Sequence, residues 1–241
     1  MPSTTFTPKQ TIIPSVWLNE VNDVVFEQQP YVHVYGSMTP AQIADVSSYT
    51  YALDVTAAVQ SALMTAYIFK RNLYVPAGGY KVTGLQLPGT NDTAGKAHNF
   101  CVYGDGFGEA GVIALKNAGT VFWSETDNPI LEYSETAAAQ GNGTMQIRNI
   151  ALWGTSTTPV VKLDTMYGLS KIAGCTIAQS GTGNGVEVGW GATYTIEDCY
   201  IIGASYAANN LGASRTGIGF YAAQNTNSAG LQKLYNCTVA G

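Results

Sequence analysis

Hydrophobic positions in the second half of the chain recur in register. Four segments, beginning at Ile147 (IRNIALWG), Ile172 (IAGCTIAQ), Ile196 (IEDCYIIG) and Leu234 (LYNCTVAG), share one pattern. Each runs apolar, variable, turn-former, then Ile or Cys, variable, apolar. Their anchor residues Ile150, Cys175, Cys199 and Cys237 are spaced by 25, 24 and 38 residues. A second strand falls between successive anchors, at Val160 (VVKLD), Gly185 (GVEVG) and Gly217 (GIGFY). Ile150 to Val161 and Cys175 to Val186 are each 11 residues, so two independent strands hold one register. A period near 24 residues, rich in β-formers and punctuated by Gly and Asn, predicts a solenoid. The leucine pattern and helical arc of leucine-rich repeats are absent. The expected fold is therefore all-β, a right-handed parallel β-helix with coils about 4.8 Å apart.

In that register Ile150, Cys175, Cys199 and Cys237 form a buried ladder of small apolar side chains in the bore. Stacked neighbours lie near the distance window for a disulfide, but free thiols are expected in a reducing compartment. Asp198 aligns with Asn149, Gly174 and Asn236, residue types that tolerate a left-handed backbone in tight turns. Glu197 aligns with Arg148, Ala173 and Tyr235 at an outward position. The 38-residue step carries eight extra residues in GASYAANNLGASRT and six in AAQNTNSAGLQ. Loops on a repeat scaffold carry binding function or are neutral decoration, and both readings stand.

Upstream the period changes. Val55, Val59, Ala62, Leu63 and Ala66 form a stripe at helical spacing, with Asp54 as the expected N-cap. The strand LYVP, a turn at Gly78-Gly79 and YKVTG follow. A helix there would cover the open first coil. Nearer the start, Trp17, Val21, Val24 and Val25 fall on one helical face with Leu18 beside it. A helix of about a dozen residues is marginal alone, so this face implies sister chains, another protein or its own solenoid as partner. The expected division is 1–30, an anchoring segment; 31–53, a linker; 54–72, a capping helix; and 73–241, the solenoid.

Composition narrows the function. Charged residues are 11% of the 241 and the net charge is −5, against roughly 25% charged in typical domains. No basic stripe exists, so no nucleic-acid partner is expected. No apolar run approaches the roughly 20 residues of a membrane span, and no secretory signal opens the chain. Four cysteines without C-x-x-C spacing and two histidines make a zinc site improbable; no metal or cofactor is expected. Gly104, Gly106 and Gly108 lack the spacing of a dinucleotide loop and read as a turn. The outward acids Glu132, Glu187 and Glu197 are the weak catalytic candidates. Lys162 stacks in register with Glu187, a cross-strand pair of structural type.

The segment from Asp54 to Tyr80 resembles the start of pectate-lyase-like β-helices, particularly tailed-bacteriophage tailspikes. Asp54, Thr56, Ala58, Val59, Gln60, Ala62 and Leu63 match the motif before the first strand. Tyr74, Val75, Pro76, Ala77, Gly78 and Tyr80 match the strand and turn, and VYGDGFGEAGVIAL resembles the following G-x-G turn. TIIPSVWLNEVNDVVFEQ resembles the virion-anchoring lead of podovirus tailspikes. In motif form the resemblance covers most of residues 11–115. It implies a homotrimer assembled in the host cytoplasm and carried on the virion tail. Attachment would be to other tail proteins through Trp17, Leu18, Val21, Val24 and Val25. The ligand it implies is host surface polysaccharide, capsule or lipopolysaccharide, cleaved by hydrolysis or β-elimination. A non-enzymatic adsorption appendage and, further off, a bacterial pectate-lyase-like enzyme are the alternatives. LYNCTVAG completes an anchor strand with no following cap, so a longer protein is expected. Neither outward ladder pairs two adjacent carboxylates, so Glu197 reads as a solvated acid. Catalytic groups are expected after Gly241 or on a neighbouring subunit.

Overall fold

The computed structural model describes residues 31–87, 100–106, 118–133, 145–163, 170–188, 194–202, 220–222 and 232–240. The chain divides into two compact units, Met1–Pro30 and Tyr31–Gly241. The first lies outside the described residues, and with it Trp17, Leu18, Val21, Val24 and Val25.

The second unit is mostly β. Its chain visits three parallel sheets in rotation, so that each circuit adds one strand to each sheet. The first sheet has seven strands: Tyr31–His33, Asn72–Val75, Phe100–Gly104, Met145–Arg148, Ser170–Ala173, Tyr194–Glu197 and Gln232–Tyr235. The second has six: Gly78–Lys81, Thr120–Ser124, Ala151–Gly154, Thr176–Gln179, Tyr200–Ile202 and Thr238–Ala240. The third has five: Leu85–Gln86, Leu131–Tyr133, Val161–Leu163, Val186–Val188 and Phe220–Ala222. Seven strands about 4.8 Å apart make a solenoid-like body roughly 30 Å along its stack.

Alternation builds the core. Val32, Leu73, Val102, Ile147, Ile172, Ile196 and Leu234 pair in one inward column of the first sheet. Tyr80, Phe122, Leu152, Ile177 and Ile201 form the matching column of the second. Leu85, Leu131, Val161 and Val186 form that of the third. Each fully buried member contributes about 1.5–3 kcal/mol; Leu234, in the last described coil, is 45% exposed. β-Branched residues dominate because they suit a pleated surface packed on one side.

The anchor ladder is present. The amides of Thr176, Tyr200 and Thr238 donate to the carbonyls of Ile150, Cys175 and Cys199, at 3.2, 2.9 and 2.9 Å. Ile150, Cys175 and Cys199 are buried, and all four cysteines are free thiols. Cys237 differs: it is only half-buried, because it sits in the last described coil with no described strand stacked beyond it. The residue before each anchor turns the chain from the first sheet to the second. Asn149, Gly174, Asp198 and Asn236 do so at φ of 56°, 59°, 53° and 50°, the left-handed region that Asn, Asp and Gly enter most readily. The Asn236 amide also donates to Asp198 Oδ1 at 2.7 Å, tying one turn to the next.

Four details depart from the sequence expectation. Residues 31–53 are no linker. Tyr31–His33 joins the first sheet beside Asn72–Val75, Val34–Ser37 is a 3-10 turn, and helix α1 spans Pro40–Ser48. Thr39 and Gln42 close a capping box at its start, and Tyr49 ends it at φ 55°. Second, Asp54 is not the N-cap of helix α2, Thr56–Ile68; Val55 is. Asp54 stands one residue earlier, accepting the Thr56 amide at 2.7 Å while its backbone bridges to Lys81. Val55, Val59, Ala62, Leu63 and Ala66 are buried as expected. Val59 and Leu63 meet Leu73, Leu85, Phe122 and Ile147 around an apolar void of about 10 Å³.

Third, Gly78 and Gly79 are strand residues rather than a turn. An added Cβ would lie 2.5 Å from Val46 Cγ1 at Gly78 and 2.5 Å from the Tyr51 ring at Gly79. They are glycine because α1 and the segment after it lie directly on this strand. Fourth, Val186 pairs with Phe220 rather than Ile218, and Glu187 with Tyr221 rather than Gly219. The insertion before this strand is therefore two residues longer than the repeat count gives, and the one after it two shorter.

Candidate functional site

Three groups of outward residues carry chemistry. The first is the outer column of the third sheet, where Gln86, Glu132, Lys162 and Glu187 stand in register. Glu132 Oε2 accepts from Gln86 Nε2 at 2.8 Å, and Oε1 accepts from Lys162 Nζ at 3.2 Å. Glu187 accepts from Asn184 Nδ2 at 3.3 Å. Glu132 and Glu187 stand two strand spacings apart, about 10 Å, near the separation of an inverting pair of acids. The electrostatics oppose that role. Burial pushes the Glu132 carboxyl up, but the bonds from Gln86 and Lys162 and the lysine charge hold it below the ordinary carboxylate value. Glu132 is thus held ionised, which excludes it as the proton donor, and both oxygens it would need as a base are engaged by Gln86 and Lys162.

The second group surrounds Glu197. It pairs in register with Ala173 and Tyr235 and forms an ion pair with Lys171 across one coil. In the two outward columns of the first sheet it is the one acid among the described residues. Among the described residues no second carboxylate faces it there, so they supply neither hydrolytic geometry.

The third group was not singled out from the sequence. Tyr31–His33 places Tyr31 and His33 on the outer face of the first sheet, beside Tyr74 and Tyr103. Tyr74 stacks on Tyr103 with ring centroids 5.2 Å apart and planes at 30°. Tyr31 meets both edge-on, at 5.4 and 6.2 Å. His33 meets Tyr74 edge-on at 5.2 Å and lies 5.0 Å from Tyr35. All five rings are half-buried, with solvent on one side. Asp105 fixes the group: it accepts from the Tyr74 hydroxyl at 2.8 and 2.9 Å and from the Ala77 amide at 2.9 Å. Those bonds, with burial and the Asp105 charge, push the Tyr74 phenol up to about 12. Burial lowers the His33 imidazole further than Asp105 raises it, so the ring stays neutral at pH 7 and accepts the Tyr35 amide at Nδ1, 3.2 Å away.

From Tyr103 the same column continues through Arg148, Ala173, Glu197 and Tyr235. The column beside it runs Cys101, Gln146, Lys171, Thr195 and Lys233. Aromatic faces at one end thus pass into hydrogen-bonding and charged groups at the other, on one side of a parallel sheet. Among the described residues no three His, Cys, Asp or Glu side chains gather to hold a metal. The signal missed in the sequence is alternation: Tyr31, His33 and Tyr35 recur every second residue, the spacing of one strand face.

No family model and no curated protein matches the chain. Among solved structures, ORF18 of Geobacillus virus E2 is similar, with a TM-score of 0.46 and 13% identity. The match covers 95% of this chain and 52% of that one, so the chain spans about half its length. A similarity this distant leaves the functional reading to the residues themselves.

Proposed function

We propose that this chain belongs to an adsorption protein of the tailspike kind, a right-handed parallel β-helix that binds host surface polysaccharide along the outer face of its first sheet. The observation that carries the reading is that face: a wall of tyrosines followed by amide, guanidinium, ammonium and hydroxyl groups at strand spacing. Tyrosine rings present flat apolar area with a polar tip, which suits a sugar ring with its apolar and hydroxyl faces. Regular spacing along a stack suits a linear polymer. Attachment would be through residues 1–30 to a virion tail, with three copies side by side. The exposed Met64, Ile68 and Phe69 on the outer side of the capping helix support a protein contact there.

Cleavage is not part of the reading for these coils. Both Glu132 oxygens are engaged by Gln86 and Lys162 and Glu197 faces no partner acid among the described residues, so binding without chemistry fits these residues better than hydrolysis. The test is binding of purified host capsule or lipopolysaccharide to the full chain and to Tyr103→Ala. Binding that falls at least ten-fold in the variant, with melting lowered by no more than about 2–4 °C, supports this face. Equal binding by both proteins removes it.

A further inference from the structure

We infer that the polymer taken by this face is anionic, a polysaccharide bearing carboxylate groups, with Arg148 as the residue that reads the charge. The inference rests on the adsorption reading above and names its ligand class.

The charge distribution points there. The whole chain carries 16 acids against 11 Lys and Arg, a net charge of −5. The outer side of the first sheet shifts that balance: among the described residues its two columns carry Arg148, Lys171 and Lys233 against Glu197, with Asp105 beside the tyrosines at one end. Glu197 and Lys171 neutralise each other, so the cations left for a ligand in these columns are Arg148 and Lys233. Elsewhere among the described residues the lysine at a strand centre, Lys162, is held by Glu132. A net-negative protein repels anionic polymers in general. A locally cationic strip on it therefore selects both the sign of the ligand and the place where it docks.

Arg148 is placed for this work. It sits in register with Tyr103, the last ring of the aromatic wall, about 4.8 Å along the stack. Gln146 accepts from its Nε at 2.8 Å, which orients the guanidinium plane. Among the described residues no hydrogen bond engages its two terminal nitrogens, and these are the pair that bind a carboxylate in parallel. A pyranose ring over Tyr103 would bring a ring carboxylate to Arg148. Lys233, exposed two coils beyond Lys171, would meet a later charge of the same chain.

The experiment measures binding of the full chain to polygalacturonate, alginate and hyaluronate, and to dextran and pullulan as neutral polymers, at about 0.05 and 0.5 M NaCl. At least one acidic polymer should bind ten-fold or more tighter than either neutral one, and weaken with salt. Arg148→Gln should lose about ten-fold in that affinity with its melting temperature unchanged; Arg148→Lys should recover part of it. Lys162→Gln, on the third sheet, should bind as the parent does. Failure of all three acidic polymers to outbind the neutral ones overturns the inference, as does an Arg148→Gln protein with undiminished affinity. Neutral polymers that bind and are lost in Tyr103→Ala would overturn the anionic class while leaving the adsorption face standing. If Tyr103→Ala also binds everything as before, the adsorption face falls too.

Discussion

The outer faces of the first and second sheets sit one turn of chain apart and are built oppositely. On the second sheet the outward residues include Trp123, Trp153, Ala178 and Ile202 in one column and Val121, Ala151 and Thr176 in the next. All are buried, with Trp123 and Trp153 each 8% exposed. Tyr51 packs edge-on to Trp123 at 5.2 Å, Lys81 lies over the same indole, and Tyr49 joins the cluster. On the first sheet the outward residues are mostly half-buried tyrosines, His33, Cys101, Gln146, Thr195 and charged groups, with Ala173 the buried exception, ending in the last described coil at Tyr235, which is 69% exposed. A sheet covered on both faces reads as a continuous apolar run, and one with a single covered face alternates. The second sheet spends its outer face on stability, which leaves the first free to present chemistry to solvent.

The sharpest way to break that comparison is to empty the covered face. Trp153→Ala should cost about 3–5 kcal/mol, the range for deleting a buried indole, read as a lowered denaturation midpoint. A loss under about 1 kcal/mol would mean that the second sheet's face is not core. Next is Gly79→Ala, whose new methyl meets the Tyr51 ring. Overpacking of about 1–3 kcal/mol is expected, together with a change in Trp fluorescence as Tyr51 moves off Trp123. Tyr103→Ala should do the reverse of Trp153→Ala, costing about 1 kcal/mol or less in stability while removing polysaccharide binding.

Acid should separate the faces by pH. Burial raises the Asp45 carboxyl, but hydrogen bonds from Thr50, Leu53 and Ala52 and the Lys81 charge outweigh it and hold it below 3.8. Those bonds shape the segment that carries Tyr49 and Tyr51. A carboxyl lowered in the folded state contributes stability that is full above its unfolded value and is lost as pH falls through the folded one. Thermal stability should therefore drop as pH falls below about 4, with Trp fluorescence changing first, and Asp45→Asn should flatten the drop. The smallest effect belongs to Glu197→Gln: within about 1 kcal/mol, as for a partly exposed ion pair.

Much of the solenoid was legible in the residues. The 24- and 25-residue steps, the inward Ile and Cys positions and the left-handed turns at Asn149, Gly174, Asp198 and Asn236 all follow from repetition, because stacked coils impose like residues at like positions. Where repetition lapses, so did the reading. Phe220 lies between two insertions, and Ile218 offered an apolar residue at an equally plausible spacing. The Thr39-Pro40-x-Gln42 capping signal marked α1, but a nine-residue helix of modest amphipathicity was lost among polar neighbours. With 31–53 taken as a linker, Tyr31 and His33 had no strand to sit on. Tyr31 and His33 join the Tyr74–Tyr103 stack only because Asn72–Val75 pairs with that segment, a long-range contact that local pattern does not encode.

The most direct test of the two-face account is hydroxyl-radical footprinting of the full chain, free and with an excess of the acidic polysaccharide that the proposal assigns to it. Tyr103 and Tyr235 should oxidise in the free protein and be protected in the complex, while Trp153 stays unreactive in both. Protection that leaves Tyr103 and Tyr235 unchanged and falls instead on Lys162–Leu163 and Glu187–Val188 would contradict it, placing the ligand on the third sheet.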